Sequence, residues 1–411
     1  MSRITPVCLF LLLHMSAAAQ RLCGTPNYAA KMPAVHSVLG KDAARIARDT
    51  LKDELIIIPV VVHVLYHAAA ENISDAQVLS QIESLNRDFS HLNDDAQNTP
   101  EVFRGLSADC RIRFCPAHVD PAGHVFGGII RKFTSKEYFL TDDGMKYSAA
   151  GGDDAWDSRR YLNLWVCNMS GRSLGYASPP GGPEETDGVV INFDVFGTTG
   201  TLRAPFNKGR TATHEIGHWL GLKHIWGDEL CGSDDIDDTP PQRSYNYGCP
   251  SFPRTSACSV SSSGDMFMNF MDFSDDACMN IFTLGQKERM RGLFALHAER
   301  NSFLDSDACD SASATSGAAD VDTMVLVPTS FSEYLTVQPN PAHDVITVKG
   351  MGSLVLSGMH LDILNMYGQK IMQHDCMTNS EALNVSRLPA GQYMIRCAKS
   401  KKGTCVRFIK L

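Results

Sequence analysis

Thr213-His214-Glu215-Ile216-Gly217-His218-Trp219-Leu220-Gly221-Leu222-Lys223-His224 decides how the rest of this chain is read. Two histidines four residues apart lie on one face of a helix, so both imidazoles reach the same point. Glu215 sits on the adjacent turn, where its carboxylate meets a metal-bound water without being a ligand. Gly221 has no Cβ and accepts positive φ, so the helix stops and the chain turns sharply. That turn swings His224 into third place. Three neutral imidazoles suit zinc and leave an open position for water. Zinc polarises the water and a carbonyl, and Glu215 takes the proton and later passes it on. His214, His218 and His224 are the candidate zinc ligands, and Glu215 is the candidate acid/base.

The full pattern, HExxHxxGxxH, calls for a methionine turn further on. Asn269-Phe270-Met271-Asp272-Phe273 stands in the right order and at a suitable distance. Met271 is therefore expected beneath the metal. The competing reading is ordinary core packing beside Met266, Met268 and Met279. A helix with Leu284, Met290, Leu293, Phe294 and Leu304 on its apolar side is expected to follow.

Upstream, Leu55–Leu65 contains IIIPVVVHVL, a β-branched run that reads as a buried strand, with Pro59 at a bend or an edge. Ser74-x-x-Gln77 is a capping box ahead of Val78, Ile82, Leu85 and Phe89 at helical spacing. Residues 111–114, 128–133, 161–167 and 188–193 read as further strands. Strands and one long helix before the metal motif make an α/β (α+β) catalytic domain. Residues 1–19, with Arg3, an apolar run from Val7 to Leu13 and Ala17-Ala18-Ala19, have the layout of a signal peptide. Residues 20–53 are polar and partly basic and read as a pro-segment, leaving 54–304 for the catalytic domain. Residues 305–332 are rich in Ser, Ala and Asp and read as a linker. Short strands resume in 333–411 as a small all-β sandwich.

The chain has 411 residues and a formal net charge of −9. That balance argues against a nucleic-acid binder. No stretch is long and apolar enough to span a bilayer after the first residues. Thirteen cysteines point to disulfides in an oxidising compartment. Cys231, Cys249, Cys258 and Cys278 flank the loop after His224, and spacing alone leaves three pairings open. Asp234, Asp235, Asp237, Asp238 and Thr239 form a dense oxygen cluster that suits calcium, or else a solvated acidic loop. Asp275 and Asp276 follow the methionine turn, where an acid would attract Arg or Lys.

HEIGHWLGLKHIWGD, NFMDFSDDACMNIFTLGQ, LGYASPP with DGVVINFDVFG, and LNLWV together resemble the pappalysin family of metzincins, over residues 20–304. The resemblance implies a secreted zinc endopeptidase acting on proteins or peptides, often favouring a basic residue just after the scissile bond. It implies the pairs Cys231–Cys258 and Cys249–Cys278, and it adds weight to calcium. The family usually has a tyrosine two residues after the methionine, and here that position is Phe273, without a hydroxyl. Arg21-Leu22-Cys23-Gly24-Thr25-Pro26 resembles the family's cysteine switch, so Cys23 is expected on the zinc of a zymogen, the alternative being a structural disulfide. Cleavage between Arg45 and Glu54, with Arg45 and Arg48 as basic sites, would release the enzyme.

Val337-Gln338-Pro339-Asn340-Pro341-Ala342, Ile363–Gly368, Leu388–Tyr393 and the ending Arg407–Leu411 resemble a type IX secretion sorting domain. It implies type IX secretion machinery as a partner and passage across an outer membrane. A rival from another class is a surface binding or adhesion module with a structural zinc site. That reading needs a fourth protein ligand, and the sequence offers only Cys23.

Overall fold

The computed structural model describes residues 20–31, 51, 54–170, 173–259, 263–296, 298–309, 333–338, 342–352, 356–365, 370–389, 391–397 and 405–410. The expected signal peptide, Arg45, Arg48 and most of the expected linker lie outside the described residues. The chain divides into two compact units: Met1–Ala117 with Gly128–Ala308, and His118–Gly127 with Cys309–Leu411.

The first unit is built on one sheet. Its strands are β1 (Ile56–Tyr66), β2 (Ile112–Pro116), β3 (Ile129–Phe133), β4 (Leu162–Cys167), β5 (Gly175–Ala177) and β6 (Val189–Asn192). The order is β2-β1-β4-β6-β5, with β3 also on β1. All neighbours run parallel except β5, which is antiparallel to β6 and forms the edge. β1 is almost wholly buried, which explains its unbroken β-branched sequence. Pro59 pairs with Cys115 on one side, while the ladder to β4 begins only at Val60. The missing N–H of Pro59 thus falls at a local edge of a central strand.

The helices are α1 (Thr25–Ala29), α2 (Asp75–Phe89), α3 (Glu101–Arg104), α4 (Arg210–Trp219), α5 (Leu284–Leu296) and α6 (Ala298–Asn301). Ser74 caps α2 by accepting from Gln77 N at 3.2 Å. Ile58, Val60, Leu164 and Ile191 share one core with Phe89, Ile216 and Trp219. A second cluster contains Leu65, Trp165, Cys167, Tyr176 and Val190. Alternation along the strands places it on the opposite face of the sheet. Leu51, inside the expected pro-segment, packs in the first core, and its carbonyl accepts from Arg291.

α2 also fixes where α4 starts. Gln77 Nε2 donates to the carbonyls of Phe196 and Thr201, Gln81 Nε2 to Gly209 O, and Ser84 Oγ to Lys208 O. These bonds pin the loop that delivers Arg210. Its guanidinium is buried against Asp88 and Asp95 and donates to Met279 O at 2.9 Å. Thr213 Oγ1 adds a 2.6 Å bond to Asp88.

The second unit holds two antiparallel sheets, with strands β7 (Glu333–Gln338), β8 (Val345–Gly352), β9 (His360–Asn365), β10 (Lys370–Asp375), β11 (Ser380–Asn384), β12 (Gly391–Cys397) and β13 (Cys405–Lys410). The orders are β10-β9-β12-β13 and β11-β8-β7. Leu335, Ile346, Val348, Leu361, Ile363, Leu383, Ile395 and Phe408 fill the core between them. β10 and β11 escape a reading of the sequence because they are mostly exposed, so few apolar residues mark them.

Burial pushes the Asp95 carboxyl up, but Arg210, Asn93 and Lys208 outweigh it and hold the group below its usual range. A depressed carboxyl stabilises the fold above its unfolded value, and that stabilisation disappears as pH falls through the folded value. Asp95→Asn is therefore expected to lower Tm near neutrality and to flatten the acid limb below about pH 4, in thermal melts across the pH range.

Candidate metal centre

Helix α4 carries His214, Glu215 and His218, all buried. It ends at Trp219; Gly221 takes φ 80°, and the chain turns so that His224 faces back. The three Nε2 atoms stand 3.1–3.2 Å apart. A tetrahedral zinc with Zn–N bonds of about 2.0–2.1 Å needs nitrogens about 3.3 Å apart, so the spacing fits. Each Nδ1 is committed elsewhere: His214 donates to Phe270 O at 2.7 Å, His218 to Leu222 O at 2.8 Å, and His224 to Asp228. A carbonyl only accepts, so Nδ1 of His214 and of His218 carries the proton and Nε2 keeps its lone pair for a metal. Burial, and then the neighbouring imidazoles, hold His214 well below its usual range, and burial with His224 brings His218 down to about 3. Neutral rings are the ligating form.

Cys23 completes the cluster. Its Sγ and the three histidine nitrogens lie within 4.8 Å of one another, the one such convergence of metal-ligating side chains among the described residues. The segment before α1 runs along the free edge of β5: Leu174 N donates to Leu22 O, and Gly24 N to Gly175 O, both at 2.9 Å. Glu215 Oε2 accepts from Thr25 Oγ1 at 2.7 Å and from the Cys23 thiol at 3.4 Å. Burial lifts the Glu215 carboxyl to about 7, against the pull of Thr25, Cys23 and Arg21.

Met271 lies under α4, so close that a Cβ on Gly217 would stand 2.5 Å from its sulfur. Asp272 braces this turn by accepting from Asn246 N, Asn246 Nδ2 and Gln242 Nε2. Phe273 sets its ring against His224 at 4.8 Å and under Tyr245 at 5.4 Å. The Tyr245 and Tyr247 rings pack against each other beside it, 4.6 Å apart.

The other candidates separate. Asp276 is fully buried, pairs with Arg21, and accepts from the backbone N–H groups of Lys208 and Arg210. Arg21 also donates to Thr211 Oγ1 at 3.1 Å and to Ser274 O at 3.3 Å. Asp275 is half-buried, and no bond joins it to Arg21. Cys231 is bonded to Cys258 and Cys249 to Cys278. The acidic loop is not gathered around one point: Asp234 accepts from Thr239, Asp235 pairs with Lys223, and Asp238 accepts from Thr283 Oγ1 and Gly285 N at the start of α5.

Other supporting residues carry no motif. Arg300 makes two 2.8 Å bonds to Asp187 and lies 3.8 Å over the Trp219 ring, while Trp219 Nε1 donates to Asp187. Together they fix the end of α4. Gly175 is the point of closest approach between β5 and the catalytic helix, where an added Cβ would stand 2.8 Å from Val190 O and 3.0 Å from Glu215 Cγ. Gly175→Ala is expected to cost about 1–3 kcal/mol by overpacking, read as a lower urea midpoint with an unchanged slope.

The family model for pregnancy-associated plasma protein-A peptidases matches residues 147–295, and that for a secretion system C-terminal sorting domain matches residues 336–410. An extracellular metalloprotease of Verticillium alfalfae is 30% identical over 300 residues, which span 69% of this chain and 93% of the relative. One from Colletotrichum graminicola is 31% identical over 290 residues, again 69% and 93%. Among solved structures, mature mirolysin of Tannerella forsythia with a cleaved peptide is 51% identical, with a TM-score of 0.61 over 62% of this chain and 97% of that one. Promirolysin of the same organism is 48% identical, with a TM-score of 0.63 over 65% and 90%. Among the described residues, no helix is long and apolar enough to cross a membrane.

Proposed function

The chain belongs to the pappalysin family of metalloproteases and carries a secretion-system sorting domain, and on that premise we propose that it is a zinc endopeptidase held latent by its own N-terminal segment. The observation that carries this reading is the convergence of three Nε2 atoms and the Cys23 thiol next to the Glu215 carboxylate. His214, His218 and His224 would hold the zinc, and Cys23 would be the further ligand in the zymogen. When bound, zinc supplies a Lewis acid for a peptide carbonyl and acidifies water. Glu215 receives the proton from the attacking water and returns it to the leaving amine. In the latent chain burial already raises its carboxyl, the direction needed by a base that must also give the proton back. Met271 and the bonds on each Nδ1 keep the imidazoles in place.

Cleavage N-terminal to Leu51 removes the thiol and leaves the packed core intact. The sorting domain directs the chain to type IX secretion machinery. Removal of the segment also empties the pocket in which Arg21 meets Asp276. That buried carboxylate, close to Thr211 on the catalytic helix, supports a preference for a basic side chain just after the scissile bond.

The deciding experiment is cleavage of a quenched peptide library by the processed enzyme beside its Glu215→Ala twin. Chelator-sensitive cutting that the twin lacks is the expected result; a folded, zinc-loaded enzyme that cuts nothing would refute the reading. Cys23→Ala is expected to give active enzyme before any processing.

Asp276→Asn is expected to lower kcat/KM on arginine peptides by about ten- to hundredfold, the worth of a charge-assisted bond, and to narrow the gap between arginine and neutral peptides.

A further inference from the structure

Tyr28 is a further deeply buried anchor of the N-terminal segment, at 5% exposure. It belongs to the cluster on the face of the sheet away from α4. Its ring lies 4.7 Å from that of Tyr176, and its hydroxyl donates to Asp143 Oδ2 at 2.7 Å. Lys146 stands beneath, fully buried, with Nζ 4.9 Å from the Tyr28 ring, 5.4 Å from Trp165 and 5.0 Å from Tyr176. A buried ammonium is costly unless it is well bonded.

One of its bonds, to the Tyr28 hydroxyl at 3.4 Å, goes with the segment, and the three stronger ones persist. Lys146 Nζ donates to Ser178 Oγ at 3.0 Å and Thr186 O at 2.7 Å, and pairs with Asp143 Oδ1 at 2.9 Å. Tyr176 OH donates to Asp143 Oδ1 at 2.8 Å. Departure of Tyr28 therefore leaves a braced, aromatic-walled space with one carboxylate oxygen, Asp143 Oδ2, stripped of its donor.

The space adjoins the substrate's path. Tyr176 is the middle residue of β5, whose free edge holds the segment around Cys23. An extended chain laid on that edge sends alternate side chains to opposite faces. One face has Glu215 and the imidazoles; the other has this space.

We propose that the space occupied by Tyr28 is, in the processed enzyme, a substrate subsite for an aromatic side chain, with tyrosine preferred because its hydroxyl donates to Asp143. The proposal rests on the latent-protease reading above.

Enzyme released from the full-length chain by limited proteolysis is tested on peptides with arginine fixed after the scissile bond and Tyr, Phe, Leu or Ala at each flanking position. One position is expected to favour Tyr over Phe by about tenfold in kcat/KM, and both over Ala. Asp143→Asn, which suits the left-handed φ of 63° there, is expected to erase the preference for Tyr over Phe. In parallel, calorimetry measures binding of a peptide of residues 20–31, and of its Tyr28→Phe and Tyr28→Ala forms, to the same processed enzyme. A profile flat at every position would overturn the subsite even if peptide binding depends on Tyr28, since the space would then serve the segment alone. No cleavage at all, with Tyr28-dependent binding, would overturn the protease reading and with it the substrate subsite, leaving a pocket that holds the segment; no cleavage and indifference to Tyr28 would overturn the pocket as well.

Discussion

Three imidazole nitrogens crowded within 3.2 Å of one another constrain everything around them. Such a cluster exists only if none of the rings is charged and each is held from behind. Burial keeps His214 and His218 neutral. Phe270 O, Leu222 O and Asp228 hold the three Nδ1 atoms. Those partners come from the methionine turn and from the chain just past α4, so the turn at Gly221 and the brace at Asp272 both serve the metal. At its start, α4 is tied to α2 through Arg210, Asp88 and Asp95; at its end it is tied to Arg300 through Asp187.

The N-terminal segment reads this architecture in reverse. Arg21, Cys23 and Tyr28 enter three separate places: an acidic pocket, the metal cluster and an aromatic box. Each place is finished by residues outside the segment. Thr25 spans the same region, donating to Glu215 and accepting from Ala177 N at 2.9 Å. A segment bound this way covers the histidine cluster, the Glu215 carboxylate and the strand edge together.

Local chemistry made much of this legible in the sequence. The helix, its glycine stop and the third histidine fall within twelve consecutive residues, and the strands of the first unit announce themselves by β-branched runs. The second unit's sandwich could be read from its strand spacing, and two of its edge strands, β10 and β11, could not. What stayed hidden depends on distant partners. Arg21 and Asp276 are 255 positions apart, and nothing local couples them. β5 is three residues long and includes Gly175, too short to show a period. Lys146 and Asp143 sit in an irregular loop. The acidic run at 234–239 is legible as a cluster of oxygens, while the separate partners of its carboxylates, Thr239, Lys223 and the start of α5, are not. Composition reports how many oxygens are present and not which way they point.

The central claim is a metal held by three histidines with the Cys23 sulfur as fourth ligand. X-ray absorption at the zinc edge of the full-length chain, before and after processing, tests it directly. The account predicts one sulfur at about 2.3 Å with three nitrogens at about 2.0 Å before processing, and no sulfur afterwards. A first shell without sulfur in the unprocessed chain, or one that processing leaves unchanged, would contradict it.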